Sequence, residues 1–115
     1  MARQREWDPE GKLTLAFFAV ELAGEAGEAC NVVKKLERER LGLRGSRATV
    51  EQLAEELADV VIVAELLAVR AGVDLDAAVR QKFNEVTRNL GLSVFLADYA
   101  AYAEEQPLTG TGDER

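Results

Sequence analysis

The stretch TVEQLAEELADVVIVAELLAVRAG, residues 49–72, decides the fold. Its centre, Val60 to Val63, is β-branched and on local preference alone would suggest a strand. The flanks overrule that reading. Leu53, Leu57, Val60, Ala64 and Leu67 recur at helical spacing over more than 20 residues, far longer than an ordinary strand. Thr49 and Gln52 form a capping-box pair at the front, and Gly72 supplies a left-handed stop behind Ala71. A helix from about residue 50 to Ala71 is therefore expected. Past Val60 it is apolar nearly all round, which suits a helix enclosed on several sides.

The same spacing runs outward in both directions. A first long helix should begin between Pro9 and Thr14 and run to about Arg40, where LGLRGS breaks it with two glycines. Its apolar row is Leu15, Phe18, Leu22, Ala26, Ala29, Val33 and Leu36. A third helix should start under an Asp74 or Asp76 cap and reach about Asn89, with Gly91 ending it. A fourth, from Ser93, would dock through Phe95, Tyr99 and Tyr102. The fold class is all-α, an antiparallel helical bundle. Residues 1–105 read as one domain and 106–115 as a disordered tail. So few helices struggle to enclose residues 60–69, so a homodimer or homotetramer is expected to complete the core.

Composition narrows the function classes. The chain has 115 residues, and 14 Lys plus Arg against 21 Asp plus Glu give a formal net charge of −7. That disfavours binding to a nucleic-acid phosphate backbone. The N-terminus lacks the apolar run of a secretion signal, and residues 60–69 are too short to span a bilayer, so no membrane role and a cytoplasmic location are expected. The single Cys30 cannot form an internal disulfide and reads as a small buried residue.

The chemistry lies in two carboxylate pairs, Glu25 and Glu28 in LAGEAGEAC and Glu56 and Asp59 in AEELADVV. Each pair is spaced i, i+3 and so falls on one side of its helix. With Glu21 set at zero and about 100° per residue, Glu25 lies near +40° and Glu28 near −20°. The apolar row lies directly beside them, and the second helix repeats the arrangement around Glu56. Acids bordering a core repel one another and gain nothing from the helix dipole, whereas a hard cation would stabilise them. All-oxygen ligands select Mg²⁺, or Mn²⁺, over zinc. The sequence has no histidine, which excludes His-dependent triads and the Glu-x-x-His pairs of di-iron bundles. No Gly-x-x-x-x-Gly-Lys-Ser/Thr phosphate loop is present either.

AGEAGEACNVVKKL, EELADVVI and VRQKFNEV together resemble the MazG-like all-α nucleoside triphosphate pyrophosphohydrolases, from about Trp7 to Leu92. The family's Glu-x-x-Glu and Glu-x-x-Asp pairs match Glu25, Glu28, Glu56 and Asp59, with a long insert between the pairs. The resemblance implies Mg²⁺-dependent hydrolysis of a nucleoside triphosphate to its monophosphate and pyrophosphate, a nucleotide-pool cleansing activity. The four acids would hold the metal, and Glu25 or Glu28 would orient or deprotonate the attacking water. Many members carry a further Glu just before the first motif residue. Here that place is Gly24, and Glu21 is an outer helper at most. Lys82 and Asn84 match the family's third element, which approaches the triphosphate, and Arg88 is a further candidate. Lys35, one of two lysines after the first motif, lies on the acidic stripe. Trp7 is a candidate for stacking on the base and Asn31 for bonding its edge. Two other classes compete: a nucleotide- or metal-binding regulator without turnover, and a helical interaction module.

Overall fold

A computed structural model describes residues 2–97, and all regular structure among them is α-helical. The helices are α1 (Ala2–Trp7), α2 (Leu15–Arg40), α3 (Val50–Ala71) and α4 (Leu75–Asn89). The chain forms two compact units, one ending at Val73 and the other beginning at Asp74. No helix among the described residues is long and apolar enough to cross a membrane.

In the first unit, α2 and α3 make an antiparallel hairpin. Phe18, near the start of α2, shares a cleft with Leu66 and Val69, near the end of α3. Val32 shares another with Gln52, near the start of α3. Local chemistry sets the ends. Thr14 caps α2 by accepting from the Phe17 N–H, so the helix begins at Leu15. At α3 the Thr49 hydroxyl accepts from Gln52 N at 3.1 Å, and the Gln52 side chain accepts from Thr49 N at 2.8 Å. Gly72 ends it at φ 73°, the left-handed conformation that a Cβ disfavours. The β-branched run of residues 60–63 is thus helical, because its flanks and caps outweigh local preference.

The sequence did not announce α1. It is a six-residue helix that contains no buried residue. The connector behind it is tied by Asp8, whose two oxygens accept from the N–H groups of Lys12 and Leu13. Arg70 of α3 reaches back to donate to the Gly11 carbonyl at 2.8 Å.

The seam between α2 and α3 is turned from the expected apolar row. Phe18, Ala29 and Val32 are buried on α2, while Leu15, Ala26 and Val33 are exposed. The buried set centres on about 50° from Glu21, so α3 covers the acidic edge of the apolar arc and leaves the far edge open. Cys30 lies about 180° from Glu21 and is exposed, which corrects its reading as a buried residue. On α3, Val63 and Ala68 are buried, yet Val61, Ile62 and Val69 remain exposed.

In the second unit, Asp74 caps α4 by accepting from Ala77 N at 3.1 Å. Residues 93–97 form no helix, against the expected fourth one. Two α4 side chains hold them: Asn84 bonds both backbone groups of Leu96, and the buried Thr87 donates to the Val94 carbonyl at 2.8 Å. Tyr99, Tyr102 and the tail 106–115 lie outside the described residues.

Candidate metal centre

Turning the seam toward the acids has a direct electrostatic result. Glu25 lies about 40° from Glu21 and therefore inside the covered stripe of α2, between Val32 and Phe18 in projection. Glu56 occupies the matching place on α3, flanked by Leu53, Val60 and Val63. Both are half-buried, while Glu28 and Asp59 stand exposed on the rim. Antiparallel packing brings the two helices' acids level. One carboxylate oxygen from each of Glu25, Glu56 and Asp59 lies within 4.8 Å of the others.

Two of these acids have an oxygen without a partner. Glu25 Oε2 and Glu56 Oε2 are shut off from solvent and accept no hydrogen bond. Buried polar atoms are nearly always paired, so two orphans in one cluster require an explanation. The charge state registers the same crowding. Loss of hydration pushes the Glu25 carboxyl above its ordinary range, and the charges of Glu28 and Asp59 push it further. Glu56 is raised first by loss of hydration, then by the close approach of the Glu28 carboxylate and by the Asp59 charge. No cation of the chain forms an ion pair with these acids among the described residues.

The donor set fits a hard divalent cation. It is all oxygen, its charges are uncompensated, and two of its atoms point where neither water nor protein serves them. Two oxygens on one Mg²⁺ are at most about 4.2 Å apart, given bonds of about 2.1 Å. Oxygens lying within 4.8 Å of one another are therefore within small side-chain rotations of one ion.

Glu28 also lines a cleft beside the cluster, together with Asn31, Lys35, Gln52, Glu55 and Glu56. Lys35 and Asn31 are thus brought to the acids as their helical phase requires. Gln52 and Glu55 were not anticipated. Their signal was their spacing of four and one before Glu56, which the capping role of Gln52 obscured.

The remaining candidates stand elsewhere. Glu21 is exposed and outside the converging oxygens. Trp7 is 69% exposed and lines a groove with Arg3, Gln4 and Leu66. Leu66 is seven residues beyond Asp59, about 10 Å along the helix axis. Within the second unit, Lys82 pairs with Glu85 at 3.5 Å, and Arg88 shares a cleft with Arg80, Gln81 and Asn84. The Asn84 carboxamide is already engaged on both sides: it donates to the Leu96 carbonyl at 2.9 Å and accepts from the Leu96 N–H at 2.8 Å.

Comparison of the chain with family models, with curated proteins and with solved structures returns no match. The reading of the site therefore rests on its geometry and on the resemblance of its motifs.

Proposed function

We propose that the chain is a Mg²⁺-dependent nucleoside triphosphate pyrophosphohydrolase, a cytoplasmic nucleotide-cleansing enzyme built on an antiparallel all-α bundle. The observation that carries this reading is the convergence of Glu25, Glu56 and Asp59, one oxygen of each within 4.8 Å of the others, in a cluster where Glu25 and Glu56 each also have a buried oxygen without a partner. Glu25, Glu56 and Asp59 would hold the ion, with Glu28 closing the set from the rim. When bound, Mg²⁺ or Mn²⁺ supplies charge neutralisation for a triphosphate that this acidic chain would otherwise repel.

The protein groups divide the other tasks. Glu28 is exposed beside the cluster, so it can accept a hydrogen bond from a water and take its proton during attack on the α-phosphorus. Lys35, in the same cleft, offers a point charge to phosphate oxygens, and Asn31 offers an amide to the nucleoside. Glu25 would hold its buried carboxylate fixed in the seam. Removing either Glu25 or Glu56 would disturb both helices' contact as well as the ligand set.

Oligomerisation belongs to the same proposal, with a changed location. Leu15 and Val33 on α2, and Val50, Leu57 and Val61 on α3, are exposed at about 100–140° from the reference acids on their helices. Antiparallel packing puts both rows on one side of the hairpin. A second copy covering that side would complete the core more fully than contact through residues 60–69 alone.

One observation favours the regulator reading: Gly24 stands where many members carry another acid. Turnover decides between them. All ribo- and deoxyribonucleoside triphosphates should be assayed with Mg²⁺ and scored for pyrophosphate against orthophosphate. Pyrophosphate release nearly abolished in Glu28→Gln and Asp59→Asn, with helicity retained, supports the enzyme. Nucleotide binding with no pyrophosphate from any substrate would leave the regulator.

A further inference from the structure

A second concave site lies at the other end of the hairpin. It is a cleft of about 230 Å³ where α1 and its connector cross the start of α2 and the end of α3. Leu13, Phe18, Leu66 and Val69 give it apolar walls. Its size is below the roughly 300–1,000 Å³ of sites that enclose drug-sized ligands, so it suits one ring or a short acid.

The polar groups around it are unbalanced toward donors. Asp8 contributes the only carboxylate of the lining, and both of its oxygens are committed to Lys12 N and Leu13 N. Those two backbone bonds hold the Asp8 carboxyl below its ordinary range, with the nearby Arg70 charge contributing less. The Gly11 carbonyl is taken by Arg70. On the donor side, Arg5 forms no ion pair among the described residues, and Arg70 has guanidinium N–H groups beyond the one given to Gly11. Gln4 Nε2 is shut off from solvent and has no acceptor at all. A buried amide N–H without a partner is costly, and a turn of the Gln4 side chain into the cleft it lines would give that N–H to a ligand oxygen.

We propose that this cleft binds a small ring bearing carbonyl or carboxylate oxygens, held by Gln4 Nε2 with Arg5 and Arg70 and packed on Phe18 and Leu66. Its apolar walls take the ring body, and its surplus donors take the oxygens. An aromatic carboxylate and an oxo-substituted heterocycle share this chemistry. The site stands on its own lining residues and is independent of any activity at the carboxylates.

Two readouts are built into the chain. The Gln4 side-chain amide reports directly by nuclear magnetic resonance. Trp7, the single tryptophan, lines an adjoining groove that shares Gln4 and Leu66 and reports by fluorescence. The full-length protein, metal-free and with no triphosphate present, should be titrated separately with benzoate and with uracil. A saturable shift of the Gln4 amide by at least one probe is expected, and which probe shifts it identifies the source of the oxygens. Gln4→Leu should weaken that binding about tenfold, as loss of one buried hydrogen bond to a ligand implies. Val69→Trp, which fills the cleft from its wall, should abolish it, with far-ultraviolet circular dichroism confirming that both variants fold. The proposal is overturned if neither probe gives a saturable shift, or if Gln4→Leu binds as tightly as the parent.

Discussion

Replacing Gly24 and Gly27 with alanine should stabilise the protein, and the structure permits the size of the effect to be worked out. Both glycines lie inside α2, both are exposed, and neither has a positive φ. A Cβ built on either meets nothing within 4 Å. The substitutions therefore introduce no strain and no new contact. What remains is the backbone freedom that glycine loses in a helix, about 0.8–1.0 kcal/mol per position relative to alanine. The gain at each position is backbone entropy rather than a contact, so the double variant should gain about 2 kcal/mol. For a domain of this size that is a rise in Tm of roughly 10 °C. Equilibrium urea denaturation followed by circular dichroism should show a higher midpoint at unchanged slope. A double variant no more stable than the parent would refute the reasoning, and would mean that the α2 backbone near the acids departs from a regular helix in solution.

The acids give a pH signature. The folded pKa of both Glu25 and Glu56 lies above the ordinary 4.5, so the metal-free fold binds their protons more tightly than the unfolded chain does. Stability should therefore rise as pH falls from neutrality through the raised folded pKa values toward the ordinary 4.5, and Mg²⁺, which competes with those protons, should stabilise more at the higher pH. Asp8 is lowered and works in the opposite sense, but only as pH falls below its ordinary 3.8. A metal-free melting temperature that is flat between those pH values would count against the cluster. Glu56→Gln should flatten the profile and remove the Mg²⁺ response, measured by thermal melts with and without chelator. Thr49→Ala removes one half of the α3 capping box and should cost about 1 kcal/mol in denaturation experiments. Asn84→Leu abolishes two hydrogen bonds to Leu96 and should destabilise by about 1–2 kcal/mol, with faster hydrogen exchange at the Leu96 amide.

Residues 49–72 show how much could be read directly. A capping box, a terminal glycine and a period of 3.6 are local signals, and each acts within one turn of where it is written. That is why α3 begins and ends at the expected residues, and why Asp74 caps α4 as one of two anticipated candidates. The spacing of Glu25 with Glu28 and of Glu56 with Asp59 likewise fixes which acids share a helix face. The short α1 carries no such period, and Asn84 gives no local sign that its amide will hold a backbone twelve residues away.

Sequence by itself thus determined α2, α3 and α4, the caps of α3 and α4, and the four acids as two pairs. Tertiary structure decided which acids meet. The apolar arc on α2 is wider than one neighbouring helix can cover, so periodicity could not say which part of it α3 would take. Packing took the edge nearest the acids, buried Phe18, Ala29 and Val32, and left Leu15 and Val33 exposed. It thereby drew Glu25 and Glu56 into the seam, with Glu28 and Asp59 on its rim. The orphaned oxygens and raised pKa values follow from that rotation, because desolvation and charge repulsion depend on distances across two helices that no spacing along one chain encodes.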